Sequence, residues 1–439
     1  MAKNSSKVLN ADLEEKISEL LSKMTLEEKI GQLRAKMISP HGILSSIFEG
    51  LTDEKKDKLL YKIFSVLRKE PELVGDFTAA VVKKSWKDLL EKEKDKIGML
   101  TVILRHLPPR ESAELANEIQ EFVAKKSRLG IPIMIHDECL HGCMTRGSTI
   151  FPQSIALAST WDPELMERVA VAIGKETRAR GIHQCLSPTI NIARDPRCGR
   201  TEETYGEDPY LASAMAVAFI KGVQSQKVVC TPKHFVANFV GDGGRDSYPI
   251  HFSERILREI YFPAFKAAVE KADALSIMAA YNSLDGIPCS CNKWLLTDVL
   301  RKEWGFRGFV VSDYGSVLHI QTKHGVAESR AEAAKKAIEA GLDMELPESY
   351  CFDDLLTLVK KGEISEELIN EAVRRVLRVK FWLGLFENRY VDPEYAERIC
   401  DCEEHRKLAL EAARKSIVCL LYTSPSPRDL STSRMPSSA

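Results

Sequence analysis

From about Gly98 to Gly384 short apolar runs alternate with longer amphipathic ones, and this alternation restricts the fold more than any other feature of the chain. The runs IGMLTVIL, IPIMI, QCLSP, VVCTP, ALSIMAAY, GFVVSD and GLDMEL read as buried strands, because they are short and several are rich in β-branched residues. Between them, residues 163–180, 210–224, 253–271, 292–304 and 327–340 carry apolar residues at helical spacing. The run D-P-E-L at Asp162 marks a helix start, with an N-cap carboxylate followed by Pro163 at the first helical position. Seven or so βα units in succession imply a parallel sheet covered by helices, either open and doubly wound or closed into a barrel.

Polar residues decide between the two. Asp137 and Glu138, Asn191 to Arg200, Lys233 and His234, Tyr281 and Asn282, and Asp313 and Tyr314 each follow an expected strand. In a closed barrel the strand ends converge on one mouth, whereas in an open sheet only those beside the switch point would meet. The expected fold is therefore a (β/α)8 TIM-like barrel with an N-terminal helical insertion. Residues 1–44 are expected to form N-terminal helices, 45–96 a Lys/Glu-rich helical insertion, and 97–400 the barrel. Residues 401–418 are expected to form a helix leading to a second domain missing from this chain. The tail 419–439 is rich in Ser, Pro and Arg, has no periodic pattern, and reads as disordered and non-native.

Composition narrows the partners. The chain has 439 residues, 44% hydrophobic and 28% charged, with a net charge of −1, so no basic field is available for nucleic acid or an anionic membrane. No run approaches the ~20 apolar residues of a membrane span, and the amphipathic N-terminus has no signal-peptide core. Eleven cysteines in an odd set, with C-x-C pairs at Cys289/Cys291 and Cys400/Cys402 but no metal spacing, read as reduced thiols of a cytoplasmic protein. Neither a metal nor a cofactor is expected. The oligomeric state is not legible.

Carboxylates, cations and an aromatic without metal spacing point to glycosidic bond chemistry, which needs one ionised carboxylate and one protonated acid. Asp313, on a rigid strand end, suits the first role, although a lone Asp there also serves as a helix cap. Lys233 at its strand end suits a Schiff-base lyase as a rival class. The acidic and basic residues of 194–208 also read as a loop held together by ion pairs.

Taken together, the segments MTLEEKIGQL, RLGIPIMIHDECLHG, LSPTINIARDPRCGRTEETYGEDPYL, TPKHFVAN, SIMAAYNSLDGIPCS and WGFRGFVVSDYGS resemble glycoside hydrolase family 3. The resemblance implies a barrel followed, in full-length relatives, by an α/β sandwich domain, and net retention through a covalent glycosyl-enzyme. It implies that Asp313 is the nucleophile. Arg200, Lys233 and His234 would hold the sugar, Tyr281 would line the pocket, and Glu138 would recognise the terminal residue. Tyr314 is expected to stack on the sugar. The implied activity is an exo-β-glycosidase acting on oligosaccharides, glucosidase first. β-Xylosidase is the alternative, because Glu138 stands where relatives often have the shorter Asp and would crowd a hydroxymethyl group. A sugar-binding fragment without turnover is the third reading. The loop NFVGDGGRDSYP has no histidine, which argues against the N-acetylglucosaminidases of the family. The acid/base is then expected in the sandwich domain, with Asp246 or a carboxylate of residues 194–208 as the alternative if the barrel carries its own.

Overall fold

The computed structural model describes residues 11–37, 58, 61 and 71–417. Five short parallel strands pair in chain order: β1 (Ala35–Met37), β2 (Met99–Thr101), β3 (Met134–Asp137), β4 (Gln184–Cys185) and β5 (Val229–Cys230). The chain after β5 passes to β6 (Ser276–Ala279), with Met278 N donating to Pro232 O at 3.1 Å and Phe235 N to Met278 O at 2.8 Å. A hairpin of β7 (Ser283–Leu284) and β8 (Ile287–Pro288) follows, and then β9 (Phe309–Ser312) pairs with β6 in parallel. The eighth stave is held by single bridges, Met344 to Val311 and Glu345 to Arg34, which return the sheet to β1. The ring is closed, and the fold is a TIM-like (β/α)8 barrel. All residues of β2, β3, β6 and β9 are buried, as parallel strands covered by helices must be.

Capping fixes where the outer helices begin. Asp162 accepts from Leu165 N at 2.9 Å ahead of Pro163–Ala179, and Asp208 accepts from Leu211 N at 2.7 Å ahead of Pro209–Ser225. Each is followed by proline at the first helical position, where the absent N–H costs nothing. The helix expected over 253–271 is three pieces instead: Glu254–Ile256, a π turn at Leu257–Tyr261, and Pro263–Glu270. Pro263 removes a helical donor in mid-pattern, and the i→i+5 bond from Phe262 N to Leu257 O absorbs the fault.

The N-terminal third differs from expectation. Residues 1–44 were expected to hold helices alone, yet β1 lies there and the barrel starts with it rather than at 97. A three-residue Ala-Lys-Met run carries no local strand signal; its pairing on both sides, with β2 and the eighth stave, makes it a strand. The insertion changes meaning accordingly. Its helix Pro71–Glu93 stands between β1 and β2, in the position of a barrel crossover, with Val82, Trp86 and Leu90 buried and the Trp86 ring 5.9 Å from Phe122. Most of residues 45–70, the first part of the expected insertion, lie outside the described residues, as do residue 418 and the tail 419–439. Helix Glu403–Ser416 lies within the segment 401–418 and is stapled by Glu176, which accepts from His405 Nδ1 at 2.6 Å. Among the described residues no helix is long and apolar enough to cross a membrane, and ten cysteines are free thiols.

Beside the eighth stave, the buried Asp343 carboxylate accepts from Arg301, from Arg375 Nη1 at 2.8 Å and from Val310 N at 2.7 Å. It ties the stave to β9 and to two helices of the outer ring. Removing it takes the carboxylate from the buried Arg301, which keeps only carbonyl partners, and the nearer carboxylate from Arg375, so Asp343→Ala should cost about 3–5 kcal/mol and Asp343→Asn less, read as urea midpoints. A loss below about 1 kcal/mol for the alanine variant would show that closure does not lean on this carboxylate.

Candidate active site

The side chains singled out by the sequence all follow C-terminal strand ends. Glu138 follows β3, Arg200 ends the loop after β4, Lys233 and His234 follow β5, Tyr281 follows β6, and Asp313 and Tyr314 follow β9. Parallel strands in a closed barrel point these ends to one mouth. The structure brings the set together: Lys233 Nζ donates to Glu138 Oε2 at 2.7 Å, Arg200 Nη2 lies 3.1 Å from His234 Nε2, and that nitrogen lies 3.6 Å from Asp313 Oδ2. Tyr281 joins the set through its hydroxyl, which donates to Tyr314 O at 3.0 Å.

Asp313 is 7% exposed. Its Oδ1 accepts from Tyr314 N at 2.7 Å, which fixes the plane of the carboxylate, while Oδ2 is buried without a hydrogen-bond partner among the described residues. Burial pushes its pKa up to about 6; Lys233 opposes this most, followed by Tyr314 N, Arg200 and Tyr281. Desolvation wins over four favourable neighbours. The same burial, with the charge of Asp313 alongside, raises the phenol of Tyr281.

His234 is locked by Asn191, whose Oδ1 accepts from His234 N at 2.7 Å and Nδ1 at 3.0 Å, while Asn191 Nδ2 donates to His234 O at 3.0 Å. An oxygen that accepts twice assigns the ring proton to Nδ1 and leaves Nε2 to accept from Arg200. Burial first, then Arg200 and Lys233, hold the imidazole well below its usual range, so the 3.6 Å approach to Asp313 is not an ion pair. Arg200 in turn is held by Glu203 through Nε at 2.7 Å and Nη2 at 2.9 Å, and reaches Asp246 Oδ2 from Nη1 at 3.5 Å. With four of its five N–H groups engaged, Arg200 has one donor left for a ligand, whereas Lys233 has two.

The loop 194–208 is partly what its charges suggested: Asp195 pairs with Arg197 at the surface, and Glu203 orders Arg200. Tyr314 is half-buried, its ring tilted against His136 at 6.1 Å and its hydroxyl buried without a partner among the described residues. Sequence reasoning did not single out Arg105, which binds Asp137 through Nε at 3.0 Å, nor the tautomer lock by Asn191. Arg105 sits just past β2, the one signal that could have flagged it; Asn191 was marked by its strand end, but its grip on His234, 43 residues away, was not legible. Asp137 is pushed up to about 6 by burial despite Arg105. A cleft of about 630 Å3 adjoins Arg105, lined also by Met144, Arg146 and the start of the first crossover helix, where Asp76 pairs with Arg146. Among the described residues no group of three or more His, Cys, Asp and Glu is placed to hold a metal.

The chain is similar to known proteins in sequence and in fold. The family described as "Glycosyl hydrolase family 3 N terminal domain" matches residues 25–379. The chain is similar to a β-xylosidase of Formosa agariphila, 41% identical over 326 residues covering 69% of this chain and 45% of the relative. It is similar also to the thermostable β-glucosidase B of Acetivibrio thermocellus, 38% identical over 334 residues covering 72% and 41% of the two chains. A solved β-glucosidase from Erythrobacter marinus superposes with a TM-score of 0.78 at 32% identity, covering 94% of this chain and 51% of that one. A Listeria innocua β-glucosidase solved with laminaribiose gives 0.74 at 32% identity, covering 92% and 51%. The chain thus spans about half the length of the relatives it matches. A closed barrel whose mouth gathers these side chains, with the family's sequence running through all but its ends, places this protein in glycosyl hydrolase family 3.

Proposed function

We propose that this chain is the barrel of a retaining exo-β-glycosidase that removes terminal β-D-glucosyl residues from oligosaccharides, with Asp313 as the nucleophile. The observation that carries the reading is the asymmetry of that carboxylate: one oxygen is fixed by Tyr314 N, and the other is buried, unpartnered and flanked by cations. An attacking oxygen needs a free lone pair and a fixed direction. In the first step Asp313 Oδ2 bonds to the anomeric carbon as the bond to the aglycone oxygen breaks and that oxygen takes up a proton. In the second, water loses a proton, attacks the same carbon from the opposite face, and frees the carboxylate, so that the configuration is retained.

Lys233, Glu138 and the remaining donor of Arg200 offer hydrogen bonds to sugar hydroxyls, and Tyr281 and Tyr314 offer apolar faces. The lyase reading of Lys233 is not kept, since its amine is in an ion pair with Glu138. Glu138, Glu203 and Asp246 each accept from a cation, the wrong role for a group that must donate a proton to the leaving oxygen. We therefore assign the acid/base to none of them. A β-xylosidase is the second reading: Glu138 is held on Lys233, and a side chain one methylene longer than Asp would crowd a hydroxymethyl group on the terminal sugar.

A 2-deoxy-2-fluoro glycoside with an activated leaving group should label Asp313. Labelling should be slow below the pKa of about 6, where the carboxyl is protonated, and reach a plateau above it. Lys233→Met should move that limb to higher pH, because it removes the strongest influence favouring the ionised form. Peptide mapping that finds the label on another carboxylate would sink the assignment.

Dinitrophenyl glycosides, whose phenolate leaves unaided, should give a burst of about one equivalent and then slow turnover that azide accelerates. Unactivated disaccharides should lag by about 10²–10⁴-fold or more. Brisk disaccharide cleavage indifferent to azide would show that the barrel supplies its own acid. Binding of glucose or xylose without any burst would mark a sugar-binding barrel.

Glu138→Asp should favour the activated glucoside over the matching xyloside by about 1–3 kcal/mol in kcat/KM, the worth of one methylene of space. An unchanged ratio removes Glu138 from the choice of sugar.

A further inference from the structure

Two loops of the mouth meet over one aromatic ring. Tyr248 lies on the loop that follows His234, and the Arg245 guanidinium carbon stands 3.9 Å from its ring centroid. Lys323, at the end of helix Ser316–Thr322, brings its Nζ to 5.5 Å from the same centroid. Arg245 is anchored again by Nε, which donates to Asp242 O at 3.2 Å. Neither cation is paired with a carboxylate among the described residues, and the two Nη groups of Arg245 make no hydrogen bond there.

Both sides of this rim border the pocket. Asp246, between Arg245 and Tyr248 in sequence, approaches Arg200, and His324, next to Lys323, contacts Tyr281 O at 2.9 Å. Two like charges gathered on one ring repel each other unless an anion lies between or beside them. The C-terminal end of helix Ser316–Thr322 favours a cation at Lys323, but it offers Arg245 no partner. Stacking and the Nε anchor have already ordered the guanidinium, so a ligand that uses its open Nη edge meets a prepared fork.

Resting on the glycosidase reading above, we infer that the Arg245–Tyr248–Lys323 rim is a leaving-group subsite for β-glycosides whose aglycone carries a carboxylate. The carboxylate takes the two Nη donors of Arg245 side by side, and Lys323 adds a second charge from across the Tyr248 ring. The sugar being removed stays neutral, and only the group departing from Asp313 is selected.

The test uses ligands that need no turnover. The full chain is titrated calorimetrically with 4-carboxyphenyl 1-thio-β-D-glucoside and 1-thio-β-D-xyloside, each beside its carboxamide counterpart. The acid should bind roughly 3- to 10-fold more tightly than the amide, and the preference should shrink as salt rises from about 0.05 to about 0.5 M. In the Arg245→Ala/Lys323→Ala double variant the acid should fall to the level of the amide, whose own affinity should stay unchanged and so report an intact pocket. Equal binding of acid and amide, or a preference that survives the double variant, overturns the inference and leaves the glycosidase reading standing. If neither ligand binds and Asp313 takes no label, the reading fails and the inference fails with it.

Discussion

Two bridges, Met344 to Val311 and Glu345 to Arg34, turn a curved sheet into a ring, and the site exists because the ring is closed. The staves are only two to four residues long, so no single pairing is strong, and closure distributes the load over eight of them. The eighth stave also carries two buried carboxylates. Asp343 binds Arg301 and Arg375, and Glu345 accepts from Cys351 N at 2.9 Å and Phe352 N at 2.8 Å. Burial pushes Glu345 up to about 7 even so. Polar groups at the seam of a barrel hold a register that apolar packing alone would leave free to slip.

At the mouth, burial and charge work against each other on Asp313. Desolvation raises it towards neutrality, and Lys233 and Arg200 pull it back. Those cations are themselves kept in place by Glu138 and Glu203, so the carboxylate is surrounded by groups whose attention is divided. The neutral His234, fixed by Asn191, separates Arg200 from Asp313 without adding a charge. A carboxylate left slightly under-stabilised in its ionised form retains the reactivity that a tight ion pair would remove.

Much of this was legible. Asp313, Lys233, His234, Tyr281 and Glu138 stand immediately after apolar runs, and in a parallel barrel that position alone assigns them to one face. What the chain did not disclose depends on distance in space. β1 has no strand pattern of its own, and its neighbours in the ring, β2 and residues 344–345, lie far along the sequence. Arg105 gives no sign of Asp137, 32 residues away, until β2 and β3 lie side by side. Pro263 was visible, but a helical pattern continuing on both sides of it outweighed the break.

The sequence by itself determined the alternation of strands and helices, the capped start at Asp162, and which polar side chains stand at the strand ends, because each of these rests on neighbours within a few residues. Only the tertiary structure decided that Asp313 would lose water from one oxygen, that Arg200 would be engaged by Glu203, His234 and Asp246, and that Arg245 and Lys323 would share Tyr248. Those outcomes are set by burial and by contacts between distant loops. A carboxylate's ionisation depends on what excludes water around it, and no spacing along a chain records that.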